Sequence, residues 1–340
     1  QSLSMPAMMA LIGLSNVIVL GYGGYLVIHG HVTEGILVQF LLYINRLIWP
    51  VAAIGWVTNL VQRAAASAIR LRSVINREPI VSTQAVLSDS PLIPSIEFKN
   101  VSFSYSSSIP VLQNVSFTIS EGKSLGIVGT TGSGKSSLVS LIPRLYDVTE
   151  GQILIGGKPL QNIPLSQLRN TISFVNQEPF LFSMSIRENI AFSVYNCDEE
   201  DIISASKSAQ LHDDVMAFDK KYDTIVGERG ITLSGGQKQR TALARAIVRQ
   251  PQILILDDSF SAVDTVTESK ILQSMKDIMK NRTTIIIAHR LTSVKNCDEI
   301  IVLDEGRIVE YGSHETLISM NGLYADMFER QKLEEELQIG

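Results

Sequence analysis

"SLGIVGTTGSGKSS", residues 124–137, decides the fold of the larger part of this chain. A short apolar run stops at Gly129. The residues that follow fill the pattern G-x-x-x-x-G-K-[ST] at Gly129, Gly134, Lys135 and Ser136. The glycines permit a loop whose backbone N–H groups wrap phosphate oxygens, and the N-terminus of the next helix adds its positive dipole end. Lys135 can reach terminal phosphates, and the Ser136 hydroxyl can ligate Mg²⁺. Thr130, Thr131, Gly132, Ser133 and Ser137 complete the cradle. "SLVSLIPRLY" beyond it reads as helix, giving the strand–loop–helix context that the mechanism requires.

A second apolar run, "ILILDDSFSAVD" at 253–264, enters two aspartates, Asp257 and Asp258, with Asp264 close behind. Carboxylates at the rim of a core raise the energy of the fold unless they are paired or used. Asp257, ending its strand, is the expected second anchor for Mg²⁺ beside a phosphate loop. Asp258 is left needing a separate explanation.

The 340 residues suffice for two domains. Net charge of −5 and a pI near 5.6 argue against nucleic acid as a partner. Cys197 and Cys297 form no disulfide framework and no metal-ligand spacing, as expected in a reducing compartment. Charge is distributed very unevenly: residues 1–62 carry only Glu34 and Arg46. Residues 5–28 contain no formal charge and residues 35–60 contain one. Each stretch exceeds the roughly 20 residues that cross a hydrocarbon core, so two transmembrane helices are expected at 5–28 and 35–62, inside a first segment of 1–76. Arg63, Arg70, Arg72 and Arg77 follow the second span, while "HGHVTEG" between the spans has no Lys or Arg. The positive-inside rule then puts everything after the second span in the cytoplasm, with a bacterial plasma membrane the expected location. Asn45 and Arg46 within that span need a polar partner, a wet cavity or snorkelling, and Pro50 would kink or break the helix. A polar linker with three prolines is expected over 77–95. From residue 96 short β-rich runs begin, with "IEFKNVSFSY" alternating and "VSFTI" following it.

"LSGGQKQR", Leu233 to Arg240, lies directly upstream of "TALARAIVRQPQILILDD". This order resembles the signature motif of the ABC ATPases. Further matches are Tyr105 ending an alternating strand, Gln177 after "ISFVN", "VGERG" at 226–230, "SAVD" at 261–264 and His289 after "TTIIIA". The resemblance covers about 96–330 and is to exporter halves in which a membrane domain is fused to the ATP-binding domain. It implies an α/β P-loop domain over 96–331 with a β-rich N-terminal layer and a helical signature subdomain at about 178–250. Two transmembrane helices, the last two of an exporter membrane domain, would precede it. The tail 332–340, within the charged stretch "FERQKLEEELQIG", reads as a solvated terminal helix.

By the same resemblance the cofactors are ATP and Mg²⁺. Tyr105 would stack on adenine, and Gln177 would touch Mg²⁺ and the attacking water. His289 would contact the γ-phosphate. Ser234, Gly235, Gly236, Gln237 and Asp264 would serve ATP across a head-to-tail dimer. Family members usually carry Glu where Asp258 stands. One methylene less leaves a carboxylate short of its water, and a base must come within about 2.6–3.2 Å of the proton it takes. An altered Asp258 beside an intact "LSGGQ" implies one half of a heterodimeric multidrug-type exporter, with a slow site here and a signature serving the partner. A homodimer with a slower base, a soluble ABC ATPase, and a regulatory half that binds ATP without turnover stand as alternatives. The cargo would be hydrophobic or amphipathic, and no residue names it.

Overall fold

The computed structural model describes residues 4–77, 81, 91–105 and 109–339. Most of the expected linker, at 78–80 and 82–90, lies outside the described residues. The chain divides into two compact units, residues 1–79 and 80–340.

The first unit is a pair of helices, α1 (Ser4–Ile28) and α2 (Glu34–Ile75). Both are long and apolar enough to cross a membrane. No residue of α2 is buried, and its apolar side chains, Trp49 and Trp56 among them, face outward all round. Such a surface is that of a helix made for an apolar solvent. At 42 residues α2 is about 63 Å long, so one helix carries both the apolar span and the basic segment after it. It runs on through Pro50, without the break that the proline suggested. Asn45 Nδ2 donates to Leu41 O at 2.9 Å, a bond within its own helix.

The second unit has two sheets. An antiparallel one is built from β1 (Ile96–Phe103), β2 (Leu112–Ile119), β4 (Glu150–Ile155) and β5 (Lys158–Pro159), in the order β2-β1-β4-β5. The larger one holds β3 (Ser124–Gly129), β6 (Ile172–Val175), β7 (Ile253–Asp257), β8 (Thr283–Ile287), β9 (Glu299–Asp304) and β10 (Arg307–Gly312). Its order is β10-β9-β3-β8-β7-β6, parallel except for the antiparallel β10. β7 and β8 are buried at every position because alternate residues feed different cores. Ile253, Ile255, Ile285 and Ile287 pack with the antiparallel layer, and Leu254, Leu256 and Ile286 pack with the helices on the other face. Each such side chain contributes roughly 1.5–3 kcal/mol when fully buried.

The helices of this unit are α3 (Lys135–Ser140), α4 (Leu165–Thr171), α5 (Ile186–Ala191), α6 (Glu199–Ser208), α7 (His212–Met216), α8 (Gly235–Val248), α9 (Thr265–Met279), α10 (His314–Met320) and α11 (Leu323–Ile339). α3 stops at Ser140, well short of the helix that "SLVSLIPRLY" suggested. Pro143 cannot donate a helical hydrogen bond and disfavours helix before it. The chain then turns at Arg144, whose φ is 53° and whose guanidinium pairs with Asp147. Ahead of the tail 332–340, whose described side chains at 332–334 are exposed, α11 is not free. Met327 and Phe328 of α11 pack against the core, so the helix is docked along its first half.

Gly129 closes β3 at φ 145°, and a Cβ there would stand 1.9 Å from Leu303 O on β9. Backbone cannot yield as a flexible side chain can. Gly129→Ala is therefore expected to destabilise the chain by about 3 kcal/mol or more. A fall of the melting temperature by about 10 °C in differential scanning calorimetry is the check.

Candidate functional site

Four adjacent strands of the large sheet deliver the motif residues to the same edge. β3 ends in the glycine loop, and its neighbour β8 runs on to His289. β7 ends in Asp257 and Asp258, and β6 leads to Gln177. Because the strands are parallel, their carboxyl ends line one rim, where open α/β sheets bind ligands. Sequence separations of up to 160 residues are erased by strand order.

Within the loop, Lys135 is 7 % exposed. Its ammonium donates to Gly129 O at 2.9 Å and Thr130 O at 2.8 Å. Burial pulls its pKa below the usual lysine value, and the charges of Asp257 and Asp258 oppose that pull. Ser133 is buried, and Thr130 Oγ1 donates to Asp304 Oδ1 at 2.9 Å, pinning the loop to the end of β9. Gly132 holds φ 83° with open space where its Cβ would be, so neither strain nor bulk closes the cradle. Ser137 Oγ lies 3.0 Å from the hydroxyl of Tyr105. The Tyr105 ring is 57 % exposed and meets Phe103 and Tyr146 edge-on, which holds an aromatic face out beside the loop.

Ser136 Oγ donates to Asp257 Oδ1 at 3.1 Å. A hydroxyl and a carboxylate converging in this way are hard oxygen donors of the kind Mg²⁺ takes. Among the described residues no group of three or more His, Cys, Asp or Glu is arranged to hold a metal. A magnesium ion here would complete its shell with water and phosphate oxygens. Burial raises the Asp257 carboxyl pKa, and the nearby charge of Asp258 raises it further.

Asp258 follows in the left-handed region, φ 46°, with its N–H donating to Ile287 O at 3.0 Å. A non-glycine residue there is uncommon, and aspartate adopts it more readily than most. The turn leaves Asp258 6 % exposed beside Asp257. Gln177 Nε2 donates to Asp258 Oδ2 at 3.1 Å, and His289 Nε2 stands 3.8 Å from the same oxygen. Gln177, Asp258 and His289, from three strands, thus surround one point on the rim.

A sequence profile described as ABC transporter matches residues 112–261, from β2 to the loop after Asp258. The chain carries the ATP-binding domain of an ABC transporter. Fused to it are the two apolar helices, and over this whole length the chain is homologous to exporter halves. It is 41% identical over 338 residues to an ATP-dependent lipid A-core flippase of Syntrophus aciditrophicus, covering 99% of this chain and 56% of that protein. A probable multidrug resistance ABC transporter ATP-binding/permease protein, YheI of Bacillus subtilis, is 41% identical over 334 residues, covering 98% and 57%. A solved bacterial Atm1-family ABC exporter with ATP bound matches with TM-score 0.76 and 36% identity, over 96% of this chain and 57% of that one. The chain thus spans little more than half the length of these relatives.

The signature of the ABC domain stands apart from its phosphate loop. Among the described residues no hydrogen bond joins Ser234–Gln237 to residues 129–137. Ser234 caps α8, its hydroxyl accepting from Gln237 N while Gln237 Oε1 accepts from Ser234 N. That capping box occupies both side chains locally. The N–H groups of Gly235 and Gly236 are then the donors a phosphate could use. Asp264 is likewise occupied, since its carboxylate accepts from Thr267 N at 2.9 Å as the N-cap of α9.

Two residues outside the sequence reading hold these pieces in place. Gln239, 4 % exposed, donates to Ser261 Oγ at 2.9 Å and accepts from Ala262 N at 3.0 Å, locking the signature helix to the "SAVD" loop. Arg290, beside His289, donates to Val263 O and to the buried Glu268, joining the same loop to the end of β8. A second glutamine in "GGQKQR" was the only trace of the first device in sequence. We expect Gln239→Leu, which keeps the bulk but neither bond, to cut turnover about tenfold with little loss of binding. Steady-state kinetics would check this as a fall in kcat at nearly constant KM.

Phe180 and Phe182 meet edge-on, and Phe182 stacks on Phe192. The Arg245 guanidinium lies 5.9 Å from both the Phe182 and Phe192 rings and donates to Phe180 O and Asn189 O. Phe182 is therefore built into the helical part, while Phe180 is 53 % exposed at the edge of a surface groove lined also by Asn176, Pro179 and Arg249.

Proposed function

We propose that this chain is part of one half of an ATP-driven exporter in a bacterial plasma membrane, its ATP-binding domain in the cytoplasm. The cargo in this reading is hydrophobic or amphipathic, in keeping with relatives named for multidrug resistance and for lipid A-core flipping. The observation that carries it is the buried Asp258 carboxylate beside Asp257, bonded to Gln177 and within 3.8 Å of His289. ATP would lie along residues 129–137 with adenine on Tyr105, its terminal phosphate charge matched by Lys135. Mg²⁺, held by Ser136, Asp257 and the Gln177 carbonyl, would neutralise phosphate charge. Water would attack the γ-phosphorus as ADP leaves, with Asp258 orienting it or taking its proton and His289 contacting the γ-oxygens. Gly235 and Gly236 would offer their N–H groups to ATP on a second half, since they make no bond to this chain's own loop.

The partner in this reading is a different half-transporter, because Asp258 is short for its task while the signature is whole. The completeness of the surrounding contacts favours a second reading, a homodimer whose base is merely slower. ATP hydrolysis by the full-length half, alone and after co-purification with candidate partners, tests both. Near-silence alone and turnover with a partner supports the heterodimer. Brisk hydrolysis alone selects the homodimer, and no hydrolysis in either state refutes the proposal.

A further inference from the structure

Among the described residues of α11, an amide follows the aromatic and apolar side chains on the core-facing stripe. Tyr324, Met327 and Phe328 point to the core, and the next position on that face is Gln331. A glutamine in an apolar stripe is unfavourable unless its amide is fully used. Here both ends of the amide bind backbone on either side of Arg290. Gln331 Nε2 donates to His289 O, and Gln331 Oε1 accepts from Leu291 N at 2.8 Å. His289 lies past the end of β8 and before the short turn Leu291–Ser293, outside any ladder that would fix its peptide planes. Its ring is half exposed and aimed at Asp258. The direction of the ring follows from the backbone around it, and Gln331 grips that backbone at two points.

We propose that Gln331 is a positioning residue for His289, its two bonds to the flanking backbone setting the contact between His289 and the γ-phosphate. The proposal rests on the reading of His289 given above. The base of α11 is secured separately: Tyr324 hydroxyl meets His314 Nδ1 at 2.8 Å, and Phe328 packs edge-on against the same ring. Gln331 thus acts one turn beyond a fixed anchor. A displacement of about 1 Å at a reacting group can lower a rate by 10²-fold, so a clamp this close to the site matters.

The test reads γ-phosphate preference rather than hydrolysis. The full-length transporter in membranes is photolabelled on this chain with 8-azido-ATP, competed by ATP or ADP, and the ratio of half-displacing concentrations is taken. Gln331→Leu is expected to reduce the preference for ATP over ADP about tenfold, with ADP displacement unchanged. His289→Ala should reduce it at least as far, and adding Gln331→Leu to it should cause no further loss. Gln331→Glu keeps the acceptor for Leu291 N–H but loses the donor to His289 O, and should move the ratio the same way by less. Phe328→Leu, which loosens α11 packing, should lower the melting temperature and leave the ratio alone. If His289→Ala keeps the preference, the reading of His289 fails and the Gln331 assignment with it. If His289→Ala loses the preference while both Gln331 variants retain it, only the Gln331 assignment is overturned. A ratio that moves equally in Phe328→Leu, or a further loss in the double variant, overturns it too.

Discussion

Asp258→Glu is expected to raise ATP turnover at this chain's own site by about 10²-fold. The Asp258 carboxylate is already turned into the site by a left-handed backbone and bonded to Gln177, and only its reach is at issue. One methylene moves the carboxylate by about 1 Å or more, and a misplacement of that size can change a rate by 10²-fold. The longer side chain keeps the charge beside Asp257, so the magnesium chemistry proposed for Ser136 and Asp257 is undisturbed. The effect should appear in kcat rather than KM, because the substituted group meets the attacking water and not the nucleotide. Single-turnover hydrolysis of γ-labelled ATP by the full-length protein is the measurement. An Asp258→Glu rate within twofold of the parent would show that Asp258 reaches its water unaided, leaving the homodimer as the better reading. Asp258→Asn is the control: if it hydrolyses as fast as the parent, this carboxylate takes no part.

Much of the site was legible because the relevant motifs are contiguous. Gly129, Gly134, Lys135 and Ser136 form one loop, and Asp257 and Asp258 end one strand, so their chemistry is visible without a third dimension. Strand order added what sequence could not: β8 lies between β3 and β7, which sets His289 against Asp258. The helix expected after the phosphate loop lost a local contest. Pro143 outweighed the helical pattern after the loop and ended α3 at Ser140. The structure adds that Ser234 with Gln237, and Asp264 with Thr267 N, form helix caps, because short polar side chains before a helix bond the nearest free N–H. Gln239 and Gln331 escaped notice for the opposite reason. Each bonds backbone far away in sequence, and a neutral amide carries no charge pattern to betray it.

Lys135→Met is expected to weaken ATP binding at this site about 100-fold without destabilising the protein. Lys135 is the buried cation at the head of the phosphate loop, and a hydrogen bond to a charged partner contributes roughly 1.5–3 kcal/mol. Two such bonds to a triphosphate would give a loss of this size or more. The effect on stability has the opposite sign. Burial lowers the pKa of Lys135, so folding disfavours its charged form. That penalty is fully present below the folded-state pKa and declines as pH rises from there to the ordinary lysine value. Methionine removes it at neutral pH, which offsets the loss of the two donor bonds to Gly129 O and Thr130 O. The melting temperature without nucleotide should therefore hold or rise. Ligand stabilisation grows as RT ln(1 + [L]/Kd), about 2.7 kcal/mol at 100 times Kd, so a 100-fold weaker site gives almost none. Thermal unfolding with and without ATP separates the two effects. A variant that melts lower in both conditions would mean that Lys135 braces the loop, and one that keeps its ATP-induced rise would mean that the phosphates are held by backbone N–H groups alone.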